Sequence, residues 1–244
     1  MASKEWFEEW FDTKYYHQLY QHRNEEEAEK FITKLTGFLQ VKKHAQILDL
    51  ACGKGRHSFT LNQLGYHVMG VDLSENSIKE ALKNKTADLN FAVHDMRTPL
   101  MNRTFDAVFN LFTSFGYFED VEDNKRVVVS VNEMLVPSGI FVIDFMNAQK
   151  VMNQLINKEN KLIDGIDFHI NRTYNGTHII KNISFEDDGK YYEYQEKVQC
   201  LLKDDFTDLL TNNGFEIKHY FGNYELEPFD ASISDRLITI AVKK

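Results

Sequence analysis

One stretch, residues 47–74, ILDLACGKGRHSFTLNQLGYHVMGVDLS, constrains the fold more than any other, because it reads as strand, glycine turn, helix, strand and terminal acid. The apolar run Ile47-Leu48-Asp49-Leu50 enters a turn holding Gly53 and Gly55, and Phe59, Leu61 and Leu64 then recur at helical spacing. Glycine lets the backbone turn sharply and approach a ligand where a side chain would intrude, and the amides that open the next helix offer donors to an acidic group. The second strand, residues 67–71, ends at Asp72. A carboxylate in that place can accept both hydroxyls of a ribose, so the pattern predicts a nucleotide cofactor at the end of a parallel sheet.

The details separate two cofactor classes. A dinucleotide fingerprint needs a third glycine to bring helix and strand together around a pyrophosphate, and Ser58 stands there. The turn reads D-x-A-x-G-x-G, and Asp49 would repel a pyrophosphate but suits the ammonium of a methionine moiety. This resembles motif I of the class I S-adenosylmethionine (SAM)-dependent methyltransferases, with Ala51 where that family commonly has glycine. The resemblance runs from about residue 41 to 147. NFAVHDMRTPL carries Asp95 after a predicted third strand, where the family commonly binds the adenine amine, with the next residue, Met96, packing on the ring. FDAVFNLFTSFGYF supplies a fourth strand, residues 107–110, whose exit residues Asn110 and Leu111 line the pocket in the family. A helix over residues 124–135, a Pro137-Ser138-Gly139 turn and the strand 140–143 complete the series.

The resemblance therefore implies SAM as cofactor, held by Asp49, Ala51, Gly53, Gly55, Arg56, Asp72, Leu73, Asp95, Met96, Asn110 and Leu111. Arg56 has two readings, a solvated residue at a helix start or an ion pair that orients an acid in the pocket. The layout is similar to sugar-amine N-methyltransferases, in which an N-terminal helix forms a lid where a tyrosine or arginine meets the methionine carboxylate; Tyr15, Tyr16, Tyr20 and Arg23 have that reading here beside plain packing of a helix on the body, and Tyr16, Tyr20 and Arg23 are taken as the site candidates. No residue is assigned a catalytic role. His57 and His94 adjoin the motifs, but a lone histidine is more often packed or solvated than a general base. Asp144, with Asn147 nearby, lacks a second acid at metal-ligand spacing, so no metal is expected.

Composition narrows the partners. The charge of −9, from 28 basic and 37 acidic residues, argues against a surface for nucleic acid. Cys52 and Cys200 show no paired spacing, the N-terminus MASKEWFEEWF is acidic and aromatic rather than leader-like, and no apolar run is long enough to cross a bilayer. The expectation is a cytoplasmic protein with reduced thiols.

The fold class expected is α/β, a Rossmann-like seven-stranded mixed sheet with a closing antiparallel hairpin. Residues 1–40 form a helical lid on the spacing of Trp6, Trp10, Tyr16 and Tyr20; residues 41–148 and 203–244 form the cofactor core. Between them, period-two alternation over residues 163–201, punctuated by Asn175-Gly176 and Asp188-Gly189, predicts three antiparallel strands. That insertion, residues 149–202, is expected to shape the acceptor pocket or a homodimer contact, apart from the cofactor site. A helix over 205–213, Gly214 and strands 215–220 and 237–242 return the chain to the core.

Methyl transfer from a sulfonium is an in-line displacement that asks for alignment and exclusion of water, not a nucleophilic triad. A neutral amine or a deprotonated hydroxyl would serve as nucleophile, and the sequence leaves N- and O-methylation open. Asn110-Leu111-Phe112-Thr113 stands where adenine and glutamine-amide methylases carry D/N-P-P-Y/F, and the many aromatics favour a small organic acceptor with an apolar part. Two alternatives are a methyltransferase-like partner protein that binds SAM without catalysis, and a nicotinamide-dependent oxidoreductase, the latter disfavoured by Ser58 and the lack of a Y-x-x-x-K pair.

Overall fold

The structure is a computed structural model, and it describes residues 6–21 and 25–244. Helices α1 (Trp6–Trp10), α2 (Lys14–Leu19) and α3 (Glu25–Leu39) precede β1 (Gln46–Leu50), α4 (Arg56–Gln63), β2 (His67–Asp72), α5 (Glu75–Ala81), β3 (Leu89–Val93), β4 (Phe105–Asn110), α6 (Val121–Met134) and β5 (Leu135–Met146). After α7 (Ala148–Asn153), strands β6 (Lys158–Ile163), β7 (Ile166–Tyr174), β8 (His178–Asp187) and β9 (Lys190–Gln199) form a separate antiparallel sheet. The chain returns through α8 (Lys203–Thr211), β10 (Phe215–Phe221) and β11 (Arg236–Lys243).

The main sheet has seven strands in the order β10-β11-β5-β4-β1-β2-β3, parallel from β3 to β5 and antiparallel at β11 and β10. This is the mixed Rossmann-like sheet with a closing hairpin that the sequence predicts. Strand order reverses between β1 and β4, and the loops leaving those two strands diverge there, which opens the crevice where such sheets hold ligands. Alternation along the strands divides the core. Leu48, Leu50 and Val108 face α6 and α8 through Val127, Val131, Phe206 and Leu210, while Ile47, Ala107 and Phe109 face α3, α4 and α5 through Ile32, Leu35, Leu61 and Ile78.

The structure departs from the sequence expectation in three places. The insertion has four strands, because β6, KENKLI, alternates with too few apolar residues to show a period of two. Pro137-Ser138-Gly139 lies inside β5 as an irregularity, with Ser138 at φ 60° and a register shift against β4. The N-terminal segment divides as well: α3 packs on the main sheet, whereas Trp10, Tyr15 and Leu19 share an apolar cluster with Ile166, Phe168, Ile170, Ile183 and Phe185 of the second sheet.

Candidate active site

A cavity of about 860 Å³ lies at the crevice and is lined by residues of the N-terminal segment and by those that end or follow β1 to β4. Its floor is the turn after β1. Ala51 and Gly53 adopt φ of 63° and 55°, and Cys52 N donates to Val71 O at 2.9 Å, which stitches the turn to β2. Asp72, at the end of β2, faces the cavity; its Oδ2 accepts from Gly53 N at 2.8 Å and its Oδ1 from Ser74 N at 2.9 Å. Burial raises its pKa above the ordinary carboxylate value, opposed by those amides. Each carboxylate oxygen keeps a second lone pair for a ligand hydroxyl.

The two glycines of the turn do different work. A Cβ on Gly53 would meet no protein atom within 4 Å, so a side chain there projects into the cavity. A Cβ on Gly55 would come within 2.7 Å of the Phe91 ring; Gly55, at φ 85°, starts α4 and serves the packing of that helix on β3. It is not among the residues that line the cavity.

Asp49 and Asn110 are buried beside the cavity and bonded within the protein. Alternation along β1 turns Asp49 toward α4, where it is 1% exposed and accepts from Ser58 Oγ at 2.5 Å. Burial pushes its pKa up to about 6, tempered by the Ser58 bond. The residue in the place of a third fingerprint glycine is thus the partner of a buried acid. Asn110 is fully buried, and its Nδ2 donates to Leu50 O at 2.9 Å, tying the ends of β4 and β1 together beneath the cavity.

The remaining expected residues come together at the cavity. Leu73, Met96 and Leu111 line it, as do Asp95 and Arg56. Arg97 grips Asp95 through Nε and Nη2 at 2.6–3.0 Å and reaches Asp123 at 2.9 Å. Burial would raise the Asp95 pKa, but the Arg97 bonds outweigh it and hold the carboxyl below its usual value. The Arg56 guanidinium lies 4.8 Å from the Phe112 ring centre.

The N-terminal segment contributes Tyr16 and Tyr20, together with Phe7, Phe11 and His17, which the sequence reading did not single out as pocket residues. Arg23 lies outside the described residues. Two anchors hold the segment down. Asp12 accepts from Ser74 Oγ and Asn76 Nδ2, each at 2.6 Å, at the start of α5 and two residues beyond Asp72. Glu196 of β9 accepts from Trp10 Nε1 at 2.8 Å and Tyr20 OH at 2.7 Å, with Lys181 Nζ 3.4 Å away. Tyr117 and Phe118, which follow β4, complete an aromatic wall with Phe7 and Phe11. The sequence shows these rings, but their convergence joins segments about a hundred residues apart. His17 and His57 also line the cavity; burial pushes their pKa values down to about 4 and about 3, helped by Lys54 and Arg56 respectively. Both imidazoles are neutral near pH 7, fit to exchange hydrogen bonds and too weakly basic to take a proton from an ammonium.

A family model described as a methyltransferase domain matches residues 41–214. Over 100 residues the chain is 33% identical to the dTDP-3-amino-3,4,6-trideoxy-alpha-D-glucopyranose N,N-dimethyltransferase of Streptomyces venezuelae, a match covering 41% of this chain and 42% of that enzyme. The chain thus aligns with less than half the length of that relative. It is 27% identical over 237 residues to a glycine/sarcosine N-methyltransferase of Aphanothece halophytica, covering 91% of this chain and 83% of the other. Among solved structures, an S-adenosylmethionine-dependent methyltransferase from Clostridium acetobutylicum superposes with a TM-score of 0.80 at 20% identity, covering 94% of this chain and 96% of that one.

Proposed function

The chain belongs to the methyltransferase-domain family, and from that premise we propose that it carries a methyl group from SAM to the amine of a small, sugar-like acceptor. The observation that supports this most is the juxtaposition of Asp72, Gly53 and Asp95 on the floor of one cavity with an aromatic lid above it. In this reading Asp72 accepts from the ribose hydroxyls, Asp95 from the adenine amine, and Met96 packs on the ring, while the open space over Gly53 admits the methionine part. SAM supplies an electrophilic methyl on a sulfonium. The chain's own residues hold the acceptor in line with it and exclude water, with Phe7, Phe11, Tyr16, Tyr117 and Phe118 packing on apolar faces of the acceptor. The acceptor amine enters neutral, since His17 and His57 are poor bases.

The match to an amino-sugar N,N-dimethyltransferase favours nitrogen over oxygen as the nucleophile. The net charge of −9 speaks for a small molecule and against nucleic acid. Among the described residues no helix is long and apolar enough to cross a membrane. We place the enzyme in the cytoplasm, with α1 and α2 as lid, residues 41–148 and 203–244 as cofactor core, and the second sheet as the seat of the lid. A homodimer is the assembly to test by light scattering.

The experiment is turnover of SAM against a panel of nucleotide-linked amino sugars, glycine and catechols, read by mass spectrometry of the acceptor. Mono- or dimethylation of an amino-sugar nitrogen is the expected outcome. Transfer confined to glycine or to a hydroxyl acceptor would replace this assignment.

A further inference from the structure

The wall of the cavity between β4 and α6 is held in an uncommon backbone conformation by groups that do not touch the cavity. Phe112 and Thr113 are consecutive non-glycine residues at φ 68° and 61°, a left-handed region that persists only when surrounding structure enforces it. The enforcing group is Asp144 on β5, fully buried. Its Oδ2 accepts from Phe112 N at 2.9 Å, and its backbone carbonyl accepts from Thr113 N at 2.9 Å. Arg236, the first residue of β11, locks the acid from the other side: Nε donates to Asp144 Oδ1 at 2.7 Å and Nη2 to Thr113 Oγ1 at 3.0 Å. Tyr224 OH adds a donor to Asp144 Oδ2 at 3.3 Å. The Arg236 guanidinium also lies 5.7 Å from the Phe112 ring centre, so the ring that lines the cavity carries a cation close by on two counts, Arg56 and Arg236.

We propose that Asp144 and Arg236 are positioning residues for the transfer site, fixing the Leu111–Phe112–Thr113 turn as a cavity wall. The closing strand of the sheet thereby takes part in the site without reaching the ligand. A buried ion pair is seldom the most stabilising way to fill its space, since well-packed apolar residues of similar volume often do as well or better. Here the guanidinium fork does what an apolar side chain does not: it spans an acid and a threonine hydroxyl at once and so couples β5, β11 and the turn. The proposal rests on the methyltransferase reading for what the wall contacts, and on the hydrogen bonds alone for how the wall is held.

Two substitutions cut the same link from opposite ends. Arg236→Lys keeps a cation beside the buried acid but loses the fork, and Thr113→Val keeps shape and loses the hydroxyl. Amide hydrogen exchange of the ligand-free protein, S-adenosylhomocysteine (SAH) titration and melting are followed for each variant and for the double variant. We expect exchange at Phe112 and Thr113 to rise about tenfold in each single variant, with little further gain in the double over Arg236→Lys alone, because that substitution already removes the Arg236–Thr113 bond. SAH affinity falls about threefold or more, while Tm stays within about 2 °C of the parent. If Arg236→Lys loses more stability than that, Thr113→Val carries the comparison. Parent-like exchange in the turn, additive effects in the double variant, or unaltered SAH affinity in a loosened turn would each overturn the assignment. A parent protein that binds no SAH would refute the methyltransferase reading instead, and the exchange arm would still judge the wall.

Discussion

Single residues in β1 and in the turn after it carry much of the account, and two of them make predictions of their own. Ala51 sits at φ 63°, where an L side chain costs roughly 1–2 kcal/mol and glycine is indifferent. Against the extra freedom that glycine gives the unfolded chain, Ala51→Gly should stabilise the fold by about 1 kcal/mol and raise Tm by about 2–4 °C; a lower Tm in calorimetry would show that the Cβ makes contacts worth more than the strain. Asp49 predicts a pH effect. Its folded pKa, raised by burial to about 6, lies above the unfolded value, so the native state holds the proton more tightly. Stability from this group is therefore greatest below about pH 4, falls as pH rises to about 6, and is flat beyond, a loss of roughly 2–3 kcal/mol. Asp49→Asn keeps an acceptor for Ser58 and removes the titration. Urea unfolding of the two proteins should show the variant gaining on the parent across that window, whereas a pH-independent difference would mean that Asp49 ionises as if solvated.

At the level of elements, α1 and α2 share one apolar cluster with the second sheet. The sequence suggests that residues 149–202 stand apart from cofactor binding, yet Trp10, Tyr15 and Leu19 bury themselves on that sheet and Glu196 collects bonds from both Trp10 and Tyr20. Tyr20 lines the cavity, so the second sheet is linked to the cavity through the Glu196–Tyr20 bond. The chain has two tryptophans, Trp6 and Trp10, both in α1, which makes intrinsic fluorescence a reporter of this segment alone. Glu196→Ala removes the carboxylate that Trp10 and Tyr20 share and its ion pair with Lys181, at a cost on the order of 1.5–3 kcal/mol for charge-assisted bonds. Emission should shift to the red as Trp10 meets water, and SAH affinity should fall about tenfold. Parent-like emission would mean that apolar packing alone seats α1 and α2 on the second sheet.

For the molecule as a whole, what could be read from the sequence was what is local. The β1–α4–β2 unit and the hairpins show themselves in glycine spacing and in alternation over a few residues, and the order of elements followed. Contacts between distant segments left no such trace: Asp144 meets Arg236 across 92 residues and Tyr20 meets Glu196 across 176. Asp49 and Gly55 belong to motif I, but which face each presents depends on strand alternation and on the closeness of Phe91, neither of which the motif's spacing encodes. The central claim is that a SAM-type ligand sits on this floor with Asp72 at its ribose. Isothermal titration of SAH and of NAD into the parent and into Asp72→Ala tests it most directly. The account predicts one SAH site in the parent, no heat from NAD, and at least about tenfold weaker SAH binding in the variant, which loses a charge-assisted acceptor. Tight NAD binding, or SAH affinity untouched by the substitution in a folded variant, would contradict it.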